Sequence, residues 1–172
     1  MRVVKVLGLL VLLLAMVFLV IYIMGSRLPD AHTATASVVI DAPQQHVWDM
    51  IENVGAQPSW RTGLKSVQML PPQKGQTCWL ETSSMGKMPL CEVLAAPTAL
   101  RVVRIADPDL PYGGIWTYQL ESMGAQQTRL TITENGTTGP AIWRFVGHYI
   151  FHEDTQIKSY ESALQTAAAA KH

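Results

Sequence analysis

The sequence predicts an α+β protein: a curved seven-stranded antiparallel sheet around a long C-terminal helix, preceded by one transmembrane helix. Three observations carry that prediction. Residues 6–24 form an apolar run of 19 residues without a charge. Seven β-rich segments follow, the last six in succession and separated by Pro, Gly and Lys-Gly turn material. From Gly139-Pro140 toward Ala170, apolar side chains recur at a helical period.

The balance of residues narrows the function. Of 172 residues, 48% are hydrophobic and only 15% charged, which excludes a disordered chain. Lys plus Arg and Asp plus Glu both count 13, so no basic field exists to hold nucleic acid. Two cysteines are too few for a disulfide scaffold or a four-cysteine zinc site.

At about 1.5 Å per residue, the run 6–24 is long enough to cross the hydrocarbon of a bilayer. A cleaved signal peptide is the competing reading, because Arg2 and Lys5 supply a positive start. Its apolar region would be shorter, however, and Met24-Gly25-Ser26 offers no small-x-small cleavage site. The chain therefore divides into an anchor (1–24), a linker (25–32) and one domain (33–172). Arg2 and Lys5 before the span, against Arg27 after it, place the N-terminus in the cytoplasm and the domain outside.

Within the domain, β-branched residues over 33–40 predict a strand. Asp41-Ala42-Pro43 opens a helix carrying Val47, Trp48, Met50 and Ile51, which stops near Asn53. Pro58-Ser59-Trp60 begins a second short helix or turn. Strands are expected over 66–70, 77–82, 90–95, 100–107, 114–121 and 128–134, joined as an antiparallel meander. The last helix repeats Ile142, Phe145, Val146, Tyr149, Ile150, Ile157, Tyr160 and Leu164 at about 100° per residue. Glu153 falls in the middle of that apolar sector. A sheet of this size needs a cover for its apolar face, and only this helix is long enough. A sheet curled around it leaves a cleft suited to an apolar ligand.

Several stretches resemble the START-like superfamily, also called SRPBCC, within its polyketide cyclase/dehydrase and lipid-transport group. They are Val39-Ile40-Asp41-Ala42-Pro43 with Val47-Trp48, Pro58-Ser59-Trp60 with Lys65-Ser66-Val67, and Gly113-Gly114-Ile115-Trp116-Thr117-Tyr118. Thr128-Arg129-Leu130-Thr131-Ile132-Thr133-Glu134, Gly136 and Arg144-Phe145-Val146 extend the resemblance, which covers roughly residues 33 to 166. It implies a helix-grip fold whose cavity, in different members, binds lipids, sterols, quinones or polyketides. It brings no catalytic signature, and the membrane span is an addition to the usual pattern.

The ligand-binding candidates are Trp116, Tyr118, Tyr149, Glu153 and Arg104. Trp116 and Tyr118 share a strand face with Leu120, so their rings are expected to point inward, to stack on a planar ligand or simply to fill the core. Glu153, with burial raising its pKa, is a candidate general acid/base, with Tyr118 and an arginine polarising a carbonyl. It can equally pair with Arg101 or Arg104, or reach the open end of the grip. His148 and His152 have the i, i+4 spacing of zinc ligands but lie off the apolar face, so no metal site is expected. No Gly-x-Ser-x-Gly elbow or phosphate loop occurs, and no cofactor is implied.

Cys78 and Cys91 are either bridged or two buried thiols. A four-residue turn over 83–86 makes Thr82 face Lys87 and sets Cys78 opposite Cys91, close enough to bridge. A three-residue loop ending at Gly86 puts Glu92 opposite instead. The leading functional expectation is membrane-anchored binding or transport of a hydrophobic small molecule: a lipid, quinone or polyketide-like compound. The alternatives are a cyclase/dehydratase-type enzyme acting on such a ligand, and an interaction module whose cavity is filled by side chains.

Overall fold

A computed structural model describes residues 2–151 and 154–170. Helix α1 (Arg2–Ser26) leads into β1 (Ala31–Ile40), α2 (Gln44–Glu52) and a 3-10 turn (Val54–Ser59). Six strands follow: β2 (Leu64–Gln73), β3 (Gln76–Ser83), β4 (Gly86–Ala96), β5 (Leu100–Ile105), β6 (Tyr112–Gly124) and β7 (Gln127–Thr138). The chain ends in α3 (Ala141–Val146), a π-helical turn (Gly147–Phe151) and α4 (Thr155–Ala169).

Every strand pair is antiparallel, in the order β1-β7-β6-β5-β4-β3-β2. Local chemistry sets the hairpins. Between β2 and β3, Lys74 and Gly75 both have positive φ (52° and 79°), as a two-residue turn matching strand twist requires. β2 to β7 form a meander, and α2 with the 3-10 turn carries the chain across from β1 to the opposite edge. All seven expected strands are present, six of them extended by a few residues and β5 two residues shorter than expected.

Period-two alternation gives the sheet one apolar face. Ala34 and Ile40 of β1, Val103 of β5, Leu120 of β6, and Leu130 and Ile132 of β7 are buried there. Against it pack Val47, Trp48 and Ile51 of α2, with Ile157, Tyr160, Leu164 and Ala168 of α4. Six large side chains (Ile40, Ile51, Leu130, Ile132, Ile157 and Leu164) are fully buried. Each such burial is worth about 1.5–3 kcal/mol. The architecture is a helix-grip fold, α+β, with an apolar helix in front.

Two expectations change. The C-terminal helix is not one regular cylinder. The π turn at Gly147–Phe151 inserts an extra residue, so the 100° phase is not carried from Ile142 through to Leu164. α4 alone fills the grip, while Tyr149 and Ile150, assigned to the same sector, are 49% and 58% exposed. The linker also shrinks. α1 runs to Ser26 and β1 starts at Ala31, leaving only residues 27–30 between them. Those residues are tied down: Arg144 donates to the Leu28 carbonyl at 2.9 Å and the Thr138 amide to that of Asp30 at 2.7 Å.

α1 is exposed along its length except near its end, where it packs against α3. Within Val3–Ser26 an 18-residue stretch has a mean hydropathy of 3.2, so by length and composition the helix can cross a membrane.

Candidate functional site

The concave face carries more than aliphatic filling. On β3, Trp79 and Glu81 share the inward parity. Arg101 of β5 faces Tyr118 of β6, and Val103 faces Trp116. Trp60 and Arg61, just after the 3-10 turn, approach from the β2 edge, and Tyr160 descends from α4.

These residues form a connected cluster. Arg61 Nη1 lies 2.8 Å from Glu81 Oε1 and 3.2 Å from Gln57 Oε1. The Trp79 indole donates to the same Glu81 oxygen at 3.3 Å. The Arg61 guanidinium sits 5.2 Å from the centre of the Tyr160 ring, a cation–π distance. Around Tyr160, Trp60 packs edge-on at 5.5 Å and Tyr118 lies at 5.6 Å; Trp116 is 6.4 Å from Tyr118. The Tyr160 hydroxyl is buried and has no hydrogen-bond partner among the described residues. Leaving such a donor unmet costs about 1–3 kcal/mol.

Burial sets the protonation states. Desolvation pushes the Tyr118 phenol up to about 12, against the pull of Arg61 and Arg101. Tyr160 is raised further, first by burial and then by Tyr118. Both phenols are neutral donors at physiological pH. Burial works against the charge of Arg61, but Glu81 and the two tyrosines outweigh it and hold the cation. The site therefore combines aromatic walls, neutral hydroxyl donors and a neutralised ion pair. It suits a largely apolar molecule carrying an oxygen acceptor.

Further along the same face, His32 Nε2 is 4.0 Å from Glu134 Oε1. His32 pairs in register with Gly136, where a Cβ would come within 2.5 Å of the imidazole. A side chain at position 136 would push that ring aside. A separate open cleft of about 480 Å³ lies near the start of β6, lined in part by Asp30, Asp107, Leu110 and Tyr112. Its lining holds two carboxylates and no cation, so it does not share the character of the aromatic cluster.

The expected residues divide. Trp116 and Tyr118 lie on the concave face beside Leu120. Arg104 does not join them: it pairs with Cys91 and Ile115, residues of the convex face, and donates to Gln76 Oε1 at 3.1 Å. Strand alternation makes Arg101 the inward arginine. Arg101 serves structure, binding Glu92 at 2.8 Å and the Ile51 carbonyl at the end of α2. Tyr149 stands outside the grip against Phe145, at 4.9 Å. Glu153 and His152 lie outside the described residues. Among the described residues no three His, Cys, Asp or Glu side chains come together as a metal site.

Cys78 and Cys91 are bridged on the convex face, with Thr82 facing Lys87 and Cys78 facing Cys91. Trp60, Arg61, Glu81 and Tyr160 escaped selection as site residues. The one available signal was parity: Glu81 is an acid two residues from Trp79 on an inward strand face.

No family model and no curated protein matches the chain. Solved structures do. The Zhui aromatase/cyclase from Streptomyces sp. R1128 superposes with a TM-score of 0.66 at 12% identity, covering 82% of this chain and 95% of that one. A START superfamily protein from Mycobacterium smegmatis gives 0.64 at 12% identity, covering 82% and 99%. Norcoclaurine synthase from Thalictrum flavum gives 0.63 at 13% identity, covering 83% and 88%. At such identities the likeness establishes the fold, which is that of START-type proteins.

Proposed function

We propose that this protein binds a hydrophobic small molecule between the sheet and α4, and that α1 anchors it in the membrane from which such a molecule is drawn. A quinone or polyketide-like ligand fits best. The observation that carries the reading is the buried Tyr160 hydroxyl, unpartnered among the described residues, on a ring packed by Trp60 and Tyr118 with Trp116 beyond Tyr118. A planar ring offers its faces to those aromatics, and its carbonyl accepts from Tyr160.

The test uses the full chain in phosphatidylcholine nanodiscs, titrated with a naphthoquinone while tryptophan emission is followed. Saturable quenching at one-to-one stoichiometry, above the linear partition into lipid, supports the reading. Linear partition alone overturns it. The charge flanking α1 supports a cytoplasmic N-terminus and an extracytoplasmic domain. Protease added to spheroplasts should then degrade the domain, and protection until lysis would reverse the orientation.

A second reading, proton-transfer chemistry of the cyclase/dehydratase type, draws support from the His32–Glu134 pair on the same face. Two neighbours are called an aromatase/cyclase and a synthase. His32→Gln should abolish turnover of such a substrate while sparing its binding.

A further inference from the structure

We propose that α3 and the π turn, residues 141–150, lie in the interfacial layer of the bilayer as a second membrane contact beside α1. This rests on the reading of α1 as a membrane span.

The argument begins at Gly25. A Cβ there would meet the Ala141 carbonyl oxygen at 1.9 Å and the Phe145 Cβ at 3.2 Å, so α3 crosses α1 backbone against backbone. Only glycine permits that approach. Along Val3–Met24 every residue is exposed except Ile21, which is partly covered one turn before the buried Gly25. α3 therefore rests on the final turns of the span. If the uncharged run 6–24 fills the hydrocarbon, Gly25 marks its boundary and α3 lies at that depth.

The surface that α3 turns away from the protein suits that depth. Trp143 is 60% exposed, Tyr149 49% and Ile150 58%. Residues 141–150 hold no acid, and their arginine, Arg144, turns inward to the Leu28 carbonyl. Trp and Tyr are the side chains that favour the boundary between headgroups and acyl chains, with an apolar ring below and a polar edge above. In a water-exposed domain these side chains would stand idle. Next to the end of a span they continue its apolar surface sideways, and they fix the tilt of the grip over the membrane.

Brominated lipid tests this directly, because bromine quenches tryptophan only on contact. The full chain and its Trp143→Phe variant are reconstituted in phosphatidylcholine vesicles whose lipid is brominated near the top of one acyl chain. Their difference isolates Trp143. Its emission should fall by about half or more relative to unbrominated vesicles. A Trp143 emission unchanged by bromine overturns the proposal. Tyr22→Trp, within α1, is the control. Quenching at residue 22 without quenching at Trp143 refutes the interfacial helix alone. Absence at both refutes the span itself, and the proposal with it.

Discussion

Arg61 and Glu81 meet at 2.8 Å beneath the Tyr160 ring, with the Glu81 side chain only 6% exposed. An ion pair at this depth is strongly destabilising to break singly, since the survivor keeps its charge without a partner. Glu81→Gln should therefore cost about 3 kcal/mol. A double change of Arg61→Met with Glu81→Leu should recover much of that loss, because two apolar groups leave no charge to solvate. Unfolding of the detergent-solubilised full chain measures both. Equal losses in the single and double variants would show that packing alone sets the cost.

The Cys78–Cys91 bridge closes β3 to β4 across 13 positions of sequence, on the face away from the grip. Cross-linking over that length stabilises by about 3 kcal/mol, mainly by restricting the unfolded chain. Replacing both cysteines by serine should lower stability by about that amount and leave naphthoquinone affinity unchanged. A change in affinity as large as the change in stability would mean that the convex face communicates with the site.

Seven strands were legible because turn residues and β-branched runs mark them locally, and residues 33–40 and 128–134 need no tertiary knowledge to read as strands. The inward parity of Trp116 and Tyr118 followed from Leu120 on the same strand. The final helix was legible as a helix, but its inward face was not, because helical periodicity assumes constant phase and Gly147–Phe151 breaks it. Gly25 was read as the start of a linker because close helix packing leaves no trace in a single glycine. Arg61 and Tyr160 lie 99 positions apart in sequence, and only the folding of α4 across the concave face brings its Tyr160 against the residues that follow the 3-10 turn.

Glu161 supplies a pH signature. It is 4% exposed on α4, its Oε1 has no partner among the described residues, and burial raises its pKa from 4.5 to about 7 against the pull of Lys158. The folded state thus holds the proton more tightly than the unfolded state. Between about pH 4.5 and 7 the folded chain binds more protons, so stability falls as pH rises through that window and levels off above it. The full cost above pH 7 is about 3 kcal/mol, from the size of the shift. Glu161→Gln should be more stable than the parent at pH 8 and nearly equal to it at pH 4. Denaturation curves that run parallel at both pH values would show that Glu161 reaches water.

Tyr160 separates a binding site from an aromatic core. Its hydroxyl is buried beside Arg61 and makes no hydrogen bond among the described residues, so Tyr160→Phe removes a group that contributes nothing favourable to the empty protein. The ring contacts with Trp60, Tyr118 and Arg61 survive in phenylalanine. Stability should stay level or rise by about 1 kcal/mol, since an unmet donor has been deleted. Affinity for a naphthoquinone should fall roughly tenfold, the value of one hydrogen bond to a carbonyl in a dry site. Affinity for naphthalene, which has the same ring size and no acceptor, should not change. A variant that loses both ligands equally would point to altered packing. A variant that loses neither, with stability unchanged, would show that the hydroxyl reaches water after all, and the ligand would have to sit elsewhere in the grip.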